Sequence, residues 1–406
     1  MSFKTLPLRV LIPNKGFESL VPTYGSGKLP QPELEKLAVS NPHSYIRVVK
    51  PQYVNPEVEQ GTDAFYDASL KNLMELVHQD ALLSLPSGMY VYSQYQPESK
   101  RLLKGFISAV SADSYFTGAI KKHENTLEGK EKRLAQHVEA LNSVAEPVLL
   151  AQDFTPQLMV LLEEYFTQNE CILSVTDKYG FVHELRGIFD ENQIADLSEE
   201  LNKLGSLYIA DGHHRVAAIS RYLHSHQWDF SKGFMSLIMH KDDLMIKSFH
   251  RIIKNVVVEN WNLFLENLSI DFENCNASNL DFCELLPYES LLITPDADYK
   301  LNLKKFKANG NAVEQLEVSI LEKHVFAAGF DMVDSKTDNR IAFMRGDTSL
   351  INMKQMVQKG DASCVFVLPP NNFQQVMDVA DQKLTMPPKS TWVEPKLLTG
   401  FITQQF

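Results

Sequence analysis

The sequence has few cysteines, no long hydrophobic run and no recognisable leader, and each deficit excludes a class of protein. Its four cysteines, Cys171, Cys275, Cys283 and Cys364, form no CxxC pair, which argues against a disulfide framework and against a zinc ribbon. No stretch approaches the length of a membrane span, and the N-terminus lacks a continuous apolar core typical of a signal peptide. We therefore expect a soluble, cytoplasmic protein in a reducing compartment.

Basic residues are also in deficit, because 39 Lys and Arg stand against 51 Asp and Glu, for a formal net charge of −12. Such a field repels phosphate backbones and anionic lipid surfaces, so nucleic acid and membranes are not expected partners. A hydrophobic content of 44% in 406 residues indicates a folded chain of two or three compact units. The sequence does not predict the oligomeric state.

Strand-like and helix-like periodicities alternate along the chain, which predicts a mixed α/β (α+β) fold. We expect a strand over 44–51, an amphipathic helix over 63–83, and a charged helix over 126–144 with Thr126 as its cap. The runs GMYVYSQY and LLKGFISAV, joined by QPESK, predict an antiparallel hairpin.

The segment SLYIADGHHRVAAISRYL carries the strongest functional signal. Residues 206–210 are rich in β-formers, Asp211-Gly212 is a turn dipeptide, and the apolar residues that follow recur at helical spacing. This order of strand, tight turn and helix aims the unpaired N–H groups of the first helical turn at a ligand above the strand end. The pattern predicts an anion-binding site.

The residues at this helix start strengthen the prediction. The first turn of this helix carries three cationic or polar donors, His213, His214 and Arg215. Cations at a helix N-terminus are unfavourable because they oppose the helix dipole, and a bound phosphate removes that conflict. Gly212 lets the backbone approach the anion closely, and Asp211 is suited to cap the helix, hold a divalent ion or orient a hydroxyl. The alternative is a plain turn and cap with both histidines bonded to carbonyls. Adjacent histidines point about 100° apart, which disfavours a shared metal.

A second cluster, KKHENT over 121–126, precedes the charged helix. Its His-Glu pair, with Glu124 as general base, and the cations Lys130 and Arg133 are suited to phosphate chemistry. Spacing alone favours the alternative, an ordinary solvated helix face with a Thr cap.

Several blocks together resemble a prokaryotic family of proteins of unknown function marked by Asp-Gly-His-His-Arg. The blocks are, in chain order, NPHSYIRVVKP, GMYVYSQY, IKKHENTLEGKEKRL, YIADGHHRVAA, SFHRII and MPPKSTWVEPKLLTG. The chain departs from the family's N-terminal Pro-Pro-Tyr-Asp block, because Val21-Pro22-Thr23-Tyr24-Gly25 stands there. The relatives that share the central block are free-serine kinases, which resemble the ParB and sulfiredoxin superfamily and phosphorylate L-serine from ADP or ATP.

The resemblance implies three regions, with N-terminal and C-terminal α/β additions at 1–110 and 258–406 around a nucleotide-binding core at 111–257. It implies Asp211 as an active-site residue and Mg²⁺ ligand, and Glu124 as the catalytic base, with Glu170 and Glu184 as alternative bases. ADP or ATP would be bound with Mg²⁺. The expected nucleotide contacts are Gly212, His213, His214, Arg215, Lys130 and Arg133.

Three functions follow from these observations. The first is a small-molecule kinase that phosphorylates a hydroxylated metabolite, with free L-serine as the favoured acceptor. The second is a nucleotide-binding or anion-binding sensor without turnover, and the third, DNA binding, is disfavoured by the acidic charge. The segment MPPKSTWVEPKLL either closes over the pocket with Lys389 and Ser390 or packs as a polar tail, and packing is favoured.

Overall fold

The computed structural model describes residues 3–25, 27–225, 233–277, 285–307 and 310–406. Helices and strands are interspersed along the chain, which confirms the mixed α and β class. The chain forms two compact units, one of Met1–Leu244 with Pro395–Phe406 and the other of Met245–Glu394. Within the described ranges, no helix has the length and apolarity needed to cross a membrane.

The bounds of the described elements are as follows. The helices are α1 (Gln31–Ser40), α2 (Ile46–Val49), α3 (Asp63–His78), α4 (Asp113–Thr117), α5 (Glu128–Leu141), α6 (Pro156–Gln168), α7 (Glu191–Asn202), α8 (His213–Ser225), α9 (Trp261–Asn267), α10 (Glu317–Leu321), α11 (Ala328–Phe330), α12 (Leu350–Gln358) and α13 (Phe373–Asp381). The strands are β1 (Thr5–Leu6), β2 (Leu8–Pro13), β3 (Leu82–Gln96), β4 (Arg101–Ser111), β5 (Ile120–Lys121), β6 (Ser143–Val144), β7 (Val148–Gln152), β8 (Cys171–Thr176), β9 (Val182–Ile188), β10 (Leu207–Asp211), β11 (Gly233–His240), β12 (Met245–Lys247), β13 (His250–Ile253), β14 (Asp271–Cys275), β15 (Glu289–Ile293), β16 (Asp298–Asn302), β17 (Ile341–Met344), β18 (Cys364–Val367), β19 (Trp392–Glu394) and β20 (Thr403–Gln405).

The first unit is built on a 12-stranded sheet whose main path runs β5-β10-β7-β11-β4-β3-β2-β20-β6. The pairs β5/β10 and β7/β11 are parallel, and the other pairs along this path are antiparallel. The predicted hairpin is confirmed, because β3 and β4 pair antiparallel with Tyr90 opposite Ile107. Apolar side chains such as Phe106, Leu150 and Ile209 are fully buried in the core of this unit.

The second unit contains a six-stranded sheet in the order β14-β16-β15-β18-β13-β17, with antiparallel pairing throughout. Leu291 and Val365 on the strands and Met353 on α12 are fully or almost fully buried in one apolar cluster. Burial of this cluster is the main force that holds the second sheet and its helix together.

The strand that the sequence predicts over 44–51 is wrong. The segment forms the short helix α2, in which the N–H of Lys50 donates to the carbonyl of Ile46. Ile46 and Val48 are buried, and α2 contacts α3. Packing of these two side chains therefore outweighs the β propensity of the Ile-Arg-Val-Val run.

Two further differences concern a helix start and the division of the chain. Helix α5 begins at Glu128 after Leu127, so Thr126 is not its cap. The two compact units also differ from the three regions expected from the sequence. Strands β3 and β4, placed by the sequence in the first region, share a sheet with β11 of the expected core, so these regions form one unit.

Candidate functional site

The two motif segments meet because β5 and β10 are parallel neighbours. Ile120 lies opposite Leu207 and Lys121 opposite Tyr208, so both strands end at the same edge of the sheet. His123 and Glu124 follow the end of β5, and Asp211 is the last residue of β10. Ligand sites in such sheets form where the carboxyl ends of neighbouring strands are followed by loops.

Glu124 and His213 are in contact across this edge. Oε2 of Glu124 lies 3.5 Å from Nδ1 of His213, and the backbone N–H of His123 donates to Nε2 of His213 over 3.5 Å. Because Nε2 accepts, the neutral imidazole carries its proton on Nδ1, the nitrogen that lies beside the Glu124 carboxylate. Burial, and then the neighbouring His123, His214 and Lys122, hold the pKa of His213 well below its usual range, so the ring is neutral.

The ring of His123 is the most buried polar group of the site. Its side chain is 1% exposed, it packs edge-to-face on the ring of His213 with centroids 4.4 Å apart, and burial lowers its pKa to about 4. Among the described residues, neither ring nitrogen has a hydrogen-bond partner of normal geometry. A buried polar group of this kind is costly unless a ligand or solvent satisfies it.

Asp211 is paired with two cations. Oδ1 lies 3.2 Å from Nζ of Lys396 and Oδ2 lies 2.9 Å from Nη2 of Arg215. Burial alone would raise the pKa of Asp211, but the charges of Lys396 and Arg215 outweigh it and the pKa is lowered, so the carboxylate is ionised. The pairs fix a lysine and an arginine beside the start of α8.

Arg215 has further partners on the strand side of the helix. It lies 3.0 Å from Oε1 of Glu146 and donates to the backbone carbonyls of Glu146 and Pro147. Arg215 is therefore anchored by protein acceptors, which partly matches the turn-and-cap alternative. Its positive charge still lies within one helical turn of Gly212.

The turn itself is suited to an anion. Gly212 has φ = 101°, a left-handed backbone conformation that favours glycine, and it leads directly into the 13-residue helix α8. Within the described part of the chain, the N–H groups of residues 212–215 donate to no protein acceptor. These N–H groups, the helix dipole and Lys396 together form an electropositive surface at the strand edge.

Two groups of side chains at this edge contain metal-ligand atoms, but neither fits a metal ion well. Ligand atoms of His123, Glu124 and His213 lie within 4.8 Å of one another, a donor set that transition metals prefer. However, a metal on Nδ1 of His213 requires a proton on Nε2, the atom that accepts from the His123 N–H. The fit of Mg²⁺ to Asp211 is also poor, because each carboxylate oxygen already has a cationic partner. No reaction step is therefore assigned to a metal held by these side chains.

The structure brings most of the expected site residues together. Glu124, Asp211, Gly212 and His213 share the strand edge, and Nδ1 of the His214 ring accepts from the N–H of Leu127 at the start of α5. Lys130 is exposed and close enough to His214 to lower its pKa, although burial contributes more.

The remaining candidates lie elsewhere. Arg133 interacts with Lys50 and Tyr66. Glu170 precedes β8 and Glu184 lies on β9, which is five strand positions from β10 along the path through β7, β11, β4 and β3. This placement disfavours both as bases acting at Asp211.

The C-terminal block contributes a residue that the sequence analysis did not select. Lys396 belongs to the first unit and pairs with Asp211, whereas Lys389 and Ser390 belong to the second. There Ser390 is buried and donates to the carbonyl of Pro387, in keeping with packing. Lys396 lies in the MPPKSTWVEPKLLTG block, and the resemblance of that block to the family was the one sequence feature that pointed to this segment. Glu146 was also missed, since only the fold places it beside the motif, whereas His123 was selected only as part of the His-Glu pair.

The comparisons place the chain in a family. The model described as "Protein of unknown function (DUF1015)" matches residues 20–328, so the chain belongs to that family. No match is found among curated proteins.

Three solved structures illustrate the similarity found at the level of coordinates. They are a free serine kinase in complex with AMP (14% identity, TM-score 0.33, 71% of this chain and 86% of that chain), SbnI with C-terminal truncation from Staphylococcus aureus (12%, 0.37, 71% and 82%), and a conserved hypothetical protein from Pyrococcus furiosus (15%, 0.31, 71% and 90%). At these TM-scores the similarities carry no conclusion about the activity of this chain.

Proposed function

We propose that this protein is a small-molecule kinase that transfers a phosphoryl group from ADP or ATP to a hydroxylated metabolite, with free L-serine as the first candidate acceptor. The observation that carries the proposal is the contact between Glu124 and His213, which holds a carboxylate beside the electropositive start of α8. The choice of serine rests on the resemblance of the Asp-Gly-His-His-Arg block to free-serine kinases.

The terminal phosphate of the nucleotide is proposed to bind the N–H groups of residues 212–215. Lys396 and Arg215 add two positive charges, each held by Asp211. Phosphoryl transfer depends mainly on positioning and on stabilising the charge of the equatorial oxygens, which such groups provide. Asp211 acts as a positioning residue in this scheme, because it holds both cations. Mg²⁺ would arrive on the nucleotide phosphates.

Glu124 is proposed as the general base. The acceptor hydroxyl oxygen attacks the terminal phosphorus, its proton passes to the Glu124 carboxylate, and the bond from phosphorus to the leaving AMP or ADP oxygen breaks. The ring of neutral His213, with Nδ1 3.5 Å from Oε2 of Glu124, holds the carboxylate beside the start of α8. A base must come within about 3 Å of the proton that it takes, directly or through one water.

Incubation with L-serine, Mg²⁺ and either ADP or ATP tests the proposal, with ³¹P NMR as the readout. O-phospho-L-serine formed together with AMP or ADP is the expected result. If the nucleotide binds and no hydroxy compound is phosphorylated, the sensor function replaces the kinase. The anchoring of Arg215 by protein acceptors is the observation that favours that second candidate.

A further inference from the structure

A cavity of about 120 Å³ lies in the first unit among α2, α5 and α8. Its wall is largely apolar, with contributions from Val49, Leu134, Val138, Leu141, Val144 and Ile219. An engineered cavity of about 150 Å³ with a similar apolar lining binds benzene, so this one is large enough for about five non-hydrogen atoms.

Buried hydroxyl groups interrupt the apolar wall. Tyr45 is 1% exposed and Ser143 is 5% exposed, and both line the cavity. The hydroxyls of Ser143 and Thr403 lie close enough to that of Tyr45 to interact with it, so the three form a buried cluster of hydroxyls. Each hydroxyl oxygen has two acceptor lone pairs, so the cluster keeps hydrogen-bonding capacity for an occupant of the cavity.

His137 adds a buried ring nitrogen to the same cavity. Its Nε2 is buried and has no hydrogen-bond partner in the described part of the chain. Burial lowers the pKa of this ring to about 4, so it is neutral at physiological pH and suited to an uncharged ligand.

The charged groups of the wall are paired with each other and so do not require a charged ligand. Arg215 and Glu146 pair with each other over 3.0 Å, and Glu146 Oε2 also accepts from the hydroxyl of Thr399. A carboxylate or ammonium group placed among the apolar side chains would lose its hydration. It would find no unpaired opposite charge in the wall to compensate for that loss.

We propose that this cavity is a binding site for a small uncharged aliphatic compound with one hydroxyl or carbonyl group. The apolar part contacts α5 and α8, and the polar end bonds the hydroxyl of Tyr45. Glu124, His123 and His213 are not in its wall, so the occupant is distinct from the phosphoryl acceptor. Arg215 of the proposed phosphate site also lies in this wall, but binding to the cavity is measured without nucleotide, so the test does not depend on the proposed kinase activity.

Methyl NMR of the full-length protein labelled at Ile, Leu and Val tests the proposal, with 1-butanol and butyrate as matched probes. We expect saturable shifts from 1-butanol at Val49, Leu134 and Val138, with a Kd on the order of millimolar, and no such shifts from butyrate. If 1-butanol causes no saturable shift at these methyl groups, or butyrate binds there as well, the proposal is wrong.

Two substitutions locate the binding. Ala145→Leu fills the cavity and should abolish the shifts. Tyr45→Phe keeps the ring and removes the hydroxyl, and should weaken binding about three- to tenfold. Tyr90→Phe is the matched control, because Tyr90 is equally buried and lies outside the cavity. Unchanged binding in a folded Tyr45→Phe protein, or an equal loss in the Tyr90→Phe control, would overturn the assignment.

Discussion

The backbone N–H of His123 donates to Nε2 of His213, a residue 90 positions further along the chain. This hydrogen bond fixes the His213 tautomer, and the tautomer directs the Nδ1–H at Glu124. The contact arises because β5 and β10 are parallel neighbours. One backbone donor therefore determines how the proposed base is held.

Replacement of Glu124 by Gln should remove turnover and leave nucleotide binding nearly unchanged. Gln keeps the size and accepts the hydrogen bond from His213, but it does not take a proton from the acceptor hydroxyl. General-base catalysis contributes roughly 10²- to 10⁴-fold, so we expect kcat to fall by that factor. Steady-state kinetics and calorimetry with ADP measure the two effects.

Glu184→Gln is the matched control for this substitution, because Glu184 lies on β9 and pairs with Arg186 over 2.8 Å. We expect its kcat to remain close to that of the wild type. A loss of turnover in Glu184→Gln that equals the loss in Glu124→Gln would assign the base elsewhere.

Lys396→Met should weaken nucleotide binding. The substitution keeps the length of the side chain and removes the charge that lies 3.2 Å from Asp211. A charge-assisted hydrogen bond to phosphate is worth about 1.5–3 kcal/mol, so we expect the Kd for ADP to rise at least tenfold. Lys203→Met, at an exposed residue just after the end of α7, should leave the Kd unchanged. Equal Kd values for the two variants would remove Lys396 from the phosphate site.

Asp211→Asn should reduce kcat more than it weakens nucleotide binding. Asn preserves the turn but weakens the pairing with both cations, so Lys396 loses its fixed position while Arg215 keeps its bonds to Glu146 and Pro147. Loss of one preorganised charge typically costs about 10²- to 10³-fold in rate. Kinetics at saturating ADP decide this point, with Asp153→Asn as the control at an exposed carboxylate. A tenfold rise in Kd with kcat unchanged would instead indicate a role in binding alone.

The buried ring of His123 should make folding stability depend on pH. Its pKa is about 4 in the folded protein and near 6.5 in the unfolded chain, so the unfolded chain binds the proton first as the pH falls. Stability is therefore full above pH 6.5 and decreases toward pH 4, by about 2 kcal/mol at pH 5. Urea unfolding at pH 7 and pH 5 should show a smaller decrease for His123→Gln than for wild type.

The exposed residue His78 provides the control for the pH experiment, and His78→Gln should behave as the wild type does. The same decrease between pH 7 and pH 5 in wild type and His123→Gln would show that the ring does not contribute.

The sequence predicts local elements well and the assembly of the site only in part. The order of strand, turn and helix around Asp211 can be predicted, because a buried strand, an Asp-Gly turn and helical spacing are all local signals. The approach of Glu124 cannot be predicted from residue patterns, since β5 has only two residues and its parallel pairing with β10 is a tertiary event. Lys396 is equally invisible, because nothing near it in the sequence indicates that its partner is Asp211.

The most direct test of the central claim is a crystal structure of the protein with ADP. We expect the terminal phosphate of ADP within about 3.2 Å of the N–H groups of residues 212–215, with Lys396 on a phosphate oxygen and Glu124 facing the same phosphate. A nucleotide bound away from the start of α8, or a Glu124 carboxylate separated from the phosphate by packed protein, would contradict the account.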